Sequence, residues 1–564
     1  MKLEIKILGK IKTSTIIELI FSLLYTMCIA LIPYVQKELF NGIGNNTKDL
    51  LINLGFTYLA LILGSAILQF ISQYNEWKRD KEFVKYTKDV IFKSIFGRPN
   101  YVFKEKSVGE YLTITNNNVE IIEDEYVSTY VDIIKSIVQL LIYTVSLVVF
   151  VDYRIAISII LVSLVSVIVP KITAKKLAKK RKFYQDSFGN YTDTLNDFYL
   201  GHMGLDEASK HGITKYHYQR LSDTENQKLA FGKFKTFVNI VNGFVMNLVS
   251  LTAFIMVGYL LIRGEITIGA GVATFAYIES FIYPIKYILN DINAINSCKE
   301  IVREAKEIGN EYLNNEKEDS CVLPEYNEIS SLKLKNLEYA INDFYLGPVN
   351  IEFESGNKYL IIGESGSGKS TLLKTIVGQI DRDSGDIYIN NESISNNLSE
   401  FASEKVFYIT QNSHVFSVPF LEQVTHFNAY DDKDIYSYLN KLPNTIVNRL
   451  VNSNIPNTIV NRLVNSNNCN ELSGGEKQVL NILTCALAKK DIVLVDEGVS
   501  AIDINTKKLV RDEIISNYNS KIYIEVSHDL GTDNIDYFDY IIRIKEGEVS
   551  NVHTKQEYIL AKNI

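Results

Sequence analysis

The run Gly363-Glu364-Ser365-Gly366-Ser367-Gly368-Lys369-Ser370-Thr371 carries the clearest chemistry in the chain. A glycine, four residues and then Gly-Lys-Ser is the spacing with which a loop wraps a chain of phosphates. Glycines let successive backbone N–H groups face one anion, and the positive N-terminus of a following helix adds to the attraction. In this pattern Lys369 would reach the β- and γ-phosphates, and the Ser370 hydroxyl would ligate Mg²⁺. A chance glycine-rich turn would lack the flanks found here. The apolar run Tyr359–Ile362 precedes the loop, and Thr371–Val377 follows as a helical start. This strand–loop–helix context predicts a bound nucleotide.

Further groups follow in order. Gln411 comes just after the apolar strand Val406–Ile409, and Leu472-Ser473-Gly474-Gly475-Glu476 opens a predicted helix over Lys477–Ala488. The strand Ile492–Val495 leads into Asp496-Glu497, with Ser500-Ala501-Ile502-Asp503 close behind, and the strand Ile522–Val526 ends at Ser527-His528. An acid at the C-terminal end of a strand beside Mg²⁺ can stay ionised and accept a proton. Taken alone, the acidic pair fits a solvated turn equally well, and His528 alone fits a cap or a surface histidine better. It is their succession after a phosphate loop that makes them a set.

The elements that must position these groups occupy only the second half of the chain. With 564 residues the chain is too long for one domain. Its apolar content, 46%, is ordinary but unevenly spread: long apolar runs crowd into the first half, and the second half mixes strands with helices. The five cysteines (Cys28, Cys298, Cys321, Cys469 and Cys485) show no metal or redox spacing and read as reduced structural thiols. A net charge of −8 argues against nucleic acid as a partner.

Six apolar stretches stand out in the first half: Ser14–Tyr34, Leu51–Ile71, Val127–Val149, Arg154–Val169, Phe237–Ile262 and Ile268–Ile288. Most reach the ~20 residues a helix needs to cross ~30 Å of hydrocarbon. A dozen Leu, Ile, Phe and Val contribute roughly −6 kcal/mol to insertion, against about +3 for one acid, so isolated polar groups do not defeat it. The fourth stretch is the weakest. Buried helices of a soluble domain would show a polar stripe, which these mostly lack. The first stretch starts too late, and runs too long without a small-residue cleavage site, for a signal peptide. Lys2, Lys6, Lys10 and Lys12 precede it, and the long second and fourth connections are lysine-rich, most densely over Lys171–Lys182. This alternation predicts a multi-pass protein of the cell membrane with its N-terminus and nucleotide domain cytoplasmic. The two long connections read as helical extensions reversing at Arg98–Thr115 and Asp197–Glu207. Extensions of ~20 residues would project roughly 30 Å beyond the bilayer, far enough for their tips to touch a cytoplasmic domain.

Phosphate loop, Gln411, Leu472–Glu476, Asp496-Glu497 and His528, in that order after six apolar stretches, resemble the ATP-binding cassette (ABC) transporters, in particular the exporter half-transporters in which the membrane domain comes first. The resemblance covers essentially the whole chain. Leu472–Glu476 is its most specific motif, and Ser107–Thr113, Gly264–Gly269 and Pro284 are similar to membrane-domain patterns of the family. It implies an all-α six-helix transmembrane domain plus an α/β P-loop NTPase (ABC ATPase) domain. The boundaries are 1–303 for the membrane domain, 304–329 for a charged linker and 330–564 for the cassette. It also implies roles. Gly363 to Thr371 bind ATP; Ser370, Gln411 and Asp496 hold Mg²⁺; Glu497 polarises the attacking water; His528 contacts the γ-phosphate. Leu472, Ser473, Gly474, Gly475 and Glu476 face the nucleotide of a second cassette. Two copies would then sandwich two ATP molecules, most simply as a homodimer, with a heterodimer also open.

Three features depart from the family pattern. Ile341 stands at the usual adenine-stacking tyrosine, leaving Tyr339 as the candidate, although a strand-core tyrosine fits that position equally well. The stretch Pro443–Asn454 recurs as Pro456–Asn467 where an acidic Gly-Glu segment is usual, which reads as a tolerated duplication. Gly498-Val499 and Asp529 replace the usual Pro-Thr and arginine without removing a phosphate or metal ligand. The overall expectation is an ATPase coupled to export of an amphipathic peptide, lipid or drug-like molecule. A membrane-bound ATP-driven regulator and an importer on the same scaffold are the alternatives. No peptidase domain precedes the first stretch, so a leader peptide would need another protein to cut it. Glu279, near the middle of the sixth stretch, is expected to face either a substrate cavity or an interhelical hydrogen bond.

Overall fold

The computed structural model describes residues 2–42, 48–166, 168–315, 328–341, 344–395, 397–410, 414–435, 469, 474–498, 502, 507, 521–527 and 535–562. The chain falls into two compact units. One comprises Met1–Gly97 with Val108–Lys317, and the other Arg98–Ser107 with Glu318–Ile564.

The first unit is helical. Its elements are α1 (Lys2–Gly42), α2 (Lys48–Phe96), α4 (Val108–Phe150), α5 (Tyr153–Ser166), α6 (Ile168–Gly201), α7 (Glu207–Ile262) and α8 (Ile268–Asn315). A short helix, α3 (Asn100–Phe103), belongs to the second unit. Five of these helices, α1, α2, α4, α7 and α8, are long and apolar enough to cross a membrane. With 41 to 56 residues each, they run roughly 60–85 Å at ~1.5 Å per residue, about twice the hydrocarbon thickness. Each apolar stretch therefore continues as a polar helical extension. Both expected reversals occur: α3 lies in the first, and a single tight turn, His202–Gly204, marks the second. Asp206 caps α7 there by accepting from the Ser209 N–H at 2.8 Å.

The fourth apolar stretch differs from the others. Its described residues lie on α5, 14 residues long, and on the start of α6. α8 runs unbroken through Pro284 as far as Asn315, and the first strand begins at Ser331.

Helix packing leaves much apolar surface outward. On α2, Phe56 and Phe70 are 68% and 71% exposed, and only 6% of its most apolar window is buried. Water does not suit so continuous an apolar face, and lipid does. Inward, Tyr277 of α8 donates to the Ala30 carbonyl of α1 at 2.7 Å amid a core that includes Leu147, Ile159 and Val257. A charged cluster ties α1, α2 and α4. The fully buried Glu18 carboxylate meets Arg79 Nη1 at 2.6 Å and Lys135 Nζ at 2.5 Å. Arg79 also donates to Ser128 Oγ at 2.9 Å, and Lys135 reaches Asp132 and Glu76 at 3.0 and 3.2 Å.

The second unit carries two sheets. Strands β1 (Ser331–Ile341), β2 (Phe344–Glu354), β4 (Ser384–Ile389) and β5 (Glu392–Ser393) form an antiparallel sheet in the order β2-β1-β4-β5. The other sheet runs β10-β9-β3-β8-β7-β6. Its strands are β3 (Lys358–Ile362), β6 (Val406–Ile409), β7 (Ile492–Asp496), β8 (Ile522–Val526), β9 (Tyr540–Lys545) and β10 (Glu548–Thr554). All its pairings are parallel except β9–β10. Strands β7 and β8 are buried throughout, as expected for a parallel sheet covered on both faces.

Candidate functional site

In an open parallel sheet, ligands bind outside the carboxyl ends of the strands. Register fixes which side chains emerge there. Ile361 of β3 pairs with Val526 of β8, which pairs with Asp496 of β7, and Val495 in turn pairs with Ile409 of β6. The phosphate loop, Asp496-Glu497, Ser527 and the segment after Ile409 therefore leave the sheet at one edge.

The loop leads into α9 (Lys369–Ile376). Gly368 adopts φ +102°, a conformation that disfavours any side chain, and a β-carbon there would lie 2.9 Å from Leu346 Cδ1 and 3.0 Å from Phe344 Cζ. Behind the loop, the Gly547 N–H donates to the Ser367 carbonyl at 3.2 Å, and the Gly347 N–H to the Gly547 carbonyl at 2.9 Å. The β9–β10 turn thus braces the loop against β2. Gly547, at φ +84°, admits no side chain, because a β-carbon would fall 1.9 Å from the Tyr345 carbonyl oxygen.

Lys369 is buried, and its ammonium donates to the Gly363 and Glu364 carbonyls at 3.0 and 2.7 Å. Loss of hydration holds its pKa below the usual lysine range, opposed by the charges of Glu497 and Asp496. The Ser367 hydroxyl is buried with no hydrogen-bond partner among the described residues. A polar atom left so inside a phosphate loop fits an anionic ligand oxygen. Ser370 Oγ donates to Asp496 Oδ1 at 2.8 Å. These two oxygen donors, side by side at the helix start, suit a hard divalent cation.

Tyr408, on β6, contributes a residue that the sequence alone did not single out. Its hydroxyl donates to Asp496 Oδ2 at 3.2 Å, so both carboxylate oxygens are engaged. Burial, then the Asp496 charge, raises the Tyr408 pKa and keeps it a donor. A tyrosine three residues before Gln411, one strand from the acid, is the only sequence signal for this contact. Glu497 takes a left-handed conformation (φ +53°), and its N–H donates to the Val526 carbonyl at 3.1 Å. A left-handed glutamate costs about 1–2 kcal/mol and turns the chain sharply off β7 directly after Asp496.

Gly474, Gly475 and Glu476 open α10 (Gly474–Ala488), whose residues Gln478–Leu487 are all buried. Tyr339 lies on β1 opposite Leu346, half-buried against the sheet core, and Phe344 packs on the same core. Gln411, Leu472, Ser473, His528, Asp529 and the Pro443–Asn467 repeat lie outside the described residues, as does the side chain of Glu279, whose backbone is on α8. Among the described residues no group of His, Cys, Asp and Glu forms a separate metal cluster.

Residues 15–285 match the family model of the ABC transporter transmembrane region, and residues 346–500 that of the ABC transporter. The chain is 21% identical over 555 residues to an ATP-dependent lipid A-core flippase of Haemophilus influenzae, covering 92% of this chain and 87% of that protein. It is 25% identical over 317 residues to the microcin-J25 export ATP-binding/permease protein McjD of Escherichia coli. That match spans 54% of this chain and 52% of McjD, about half the length of each. Over 367 residues it is 25% identical to the nisin transport ATP-binding protein NisT of Lactococcus lactis, covering 63% of this chain and 60% of NisT. The fold matches a bacterial Atm1-family ABC exporter solved with ATP bound, with a TM-score of 0.78 at 15% identity, over 98% of this chain and 96% of the other. With a membrane domain and a nucleotide-binding cassette in one polypeptide, the chain belongs to the ABC transporters and is an ATPase coupled to transport.

Proposed function

We propose that two copies of this chain form an exporter that uses ATP to move an amphipathic molecule out of the cell. The observation that carries this reading is the Ser370 hydroxyl seated on the Asp496 carboxylate at the mouth of a phosphate loop, in a chain whose apolar helices face outward. The export and flippase functions named for the relatives support the direction. Ser370, Asp496 and Gln411 would hold Mg²⁺, which when bound neutralises phosphate charge and fixes the triphosphate's orientation. Lys369, freed from the Gly363 and Glu364 carbonyls, takes the β- and γ-phosphates. Glu497 orients the attacking water and accepts its proton, and His528 steadies the γ-phosphate. Tyr339 stacks on adenine.

Leu472 to Glu476 of one copy cap the nucleotide of the other, so hydrolysis requires the pair. ATP favours the closed pair only through its greater affinity for that state, and hydrolysis reopens it. The lysine-rich ends of the spans lie on the cytoplasmic side together with the cassettes. Glu279 faces the translocation cavity.

The test is transport in inverted vesicles carrying wild-type protein or Glu497→Gln. ATP-dependent uptake of an amphipathic probe into the vesicles, lost in the variant, supports export. Movement in the other direction would make the protein an importer, and ATP hydrolysis without movement of any tested solute would leave a regulator. Full-rate hydrolysis by a lone subunit would refute the paired site.

A further inference from the structure

The lysine-rich ends of the fourth and fifth apolar stretches lie side by side. Helix α6 leaves the fourth stretch and α7 leads into the fifth. The two are antiparallel neighbours, with Ser187 Oγ 3.1 Å from Thr224 Oγ1 and the Tyr184 and Phe231 rings stacked at 6.4 Å. Lys176 Nζ lies 5.1 Å over the Phe234 ring, which sets Lys175 and Lys176 beside Lys233 and Lys235. All four lysines are exposed.

The charge here is not balanced. No acid occurs on α6 from Lys171 to Gln185, and none on α7 from Asn226 to Phe237. Arg181 pairs with Glu125 at 3.6 Å and Lys228 with Glu225 at 3.2 Å, but the four lysines have no ion-pair partner among the described residues. The α2 extension differs, since Lys81, Lys88 and Lys93 pair there with Glu82, Glu120 and Asp89. Orientation in a bilayer counts Lys and Arg and leaves acids free to pair with them, so the lack of acids beside α6 and α7 is a separate feature.

At ~1.5 Å per residue, Lys233 and Lys235 stand about 3–6 Å beyond the fifth stretch, and Lys175 and Lys176 about 9–11 Å beyond the fourth. Lipid headgroups occupy roughly 5–8 Å outside the hydrocarbon on each side. Flexible lysine stems let the ammonium groups reach that layer. The four do not converge on one point. Successive helix residues project roughly 100° apart, so Lys175 and Lys176 diverge, and Lys233 and Lys235 point roughly 160° apart. Charge spread around two helices at one height suits a plane of anions rather than a single bound one.

We infer that this basic collar binds the headgroups of anionic phospholipids in the cytoplasmic leaflet and holds the α6–α7 pair at the membrane surface. The inference rests on the membrane orientation proposed above and is independent of transport direction.

The experiment uses the full-length protein in inverted vesicles of phosphatidylcholine mixed equally with phosphatidylglycerol. Electron paramagnetic resonance then measures how much spin-labelled phosphatidylglycerol or phosphatidylcholine the protein immobilises. A preference for phosphatidylglycerol of about fivefold is expected, the factor for one lysine at a charged surface. It should vanish in about 1 M NaCl, where screening acts within roughly 3 Å. Replacing Lys175, Lys176 and Lys235 together by Gln should abolish it, and replacing them by Arg should keep it. Replacing Lys81, Lys85 and Lys88 by Gln removes the same charge about 15–26 Å beyond the second stretch and should leave the preference intact. Equal immobilisation of both lipids by the wild type, an undiminished preference in the first Gln variant, or the same loss in the second would overturn the inference. So would competition by millimolar inorganic phosphate at constant ionic strength, which would make the collar a site for a free anion. Binding of labelled ATP to the outer face of the same vesicles reports separately on orientation, and its absence in the wild type would refute the topology instead.

Discussion

Tyr408→Phe removes a single hydroxyl and leaves the ring in the core, so it isolates the Tyr408–Asp496 contact. A hydrogen bond to a charged acceptor contributes about 1.5–3 kcal/mol. At 3.2 Å this one is longer than the ~2.5–3.0 Å of a strong O–H···O bond, which places it at the low end, about 1.5 kcal/mol. What is lost is the orientation of Asp496 Oδ2, while Oδ1 keeps the Ser370 hydroxyl. The expected effect falls on the metal. The free Mg²⁺ needed for half-maximal ATP turnover should rise about tenfold, with the rate restored at saturating Mg²⁺. Binding of a fluorescent ATP analogue in chelator should not change. The assay is ATP turnover by reconstituted protein, titrated with free Mg²⁺ at saturating ATP, with thermal unfolding as the folding control. An unchanged Mg²⁺ midpoint would refute the positioning role. Weakened metal-free ATP binding would show that the tyrosine merely supports the loop.

Three other outcomes follow from the same structure. Glu497→Gln should slow ATP turnover by about 10²–10⁴-fold while ATP binding persists, as read by single-turnover hydrolysis and nucleotide retention. Glu18→Ala removes the carboxylate shared by Arg79 and Lys135, leaving Arg79 on Asp80 and Lys135 on Asp132 and Glu76, and should destabilise the membrane unit by about 1.5–3 kcal/mol, seen as a lowered unfolding temperature in detergent. Its refutation is an unfolding temperature equal to wild type. Burial pushes the Cys469 thiol up to about 11. The reactive thiolate then becomes abundant only as pH rises toward that value, so alkylation of folded protein at pH 8 should be roughly 10²-fold slower than after denaturation, measured by mass-tagged maleimide.

The phosphate loop and the acidic pair could be read from sequence because their geometry is local: spacing alone places Lys369 and Ser370 at a helix start, and Asp496 at the end of a strand. Apolar stretches likewise marked where hydrocarbon must be. Span lengths were less legible, since the polar extensions of α2 and α7 carry no apolar signature. Contacts across the fold left no trace. Nothing near Tyr408 announces that β6 will pair with β7 and bring its hydroxyl to Asp496, 88 residues away. Glu18 looked like a tolerated polar residue in an apolar run, because its partners Arg79 and Lys135 come from two other helices. Phe344 over Gly368 was hidden for the same reason.

The carboxylate of Glu18 also constrains how the protein can move. Three helices clasped by one desolvated anion cannot slide past one another without separating charges in a medium that does not screen them. They behave as a single rigid lever. Flexing then falls to the joints outside that lever: the bend at Val151-Asp152 and the corner from Arg263 to Thr267.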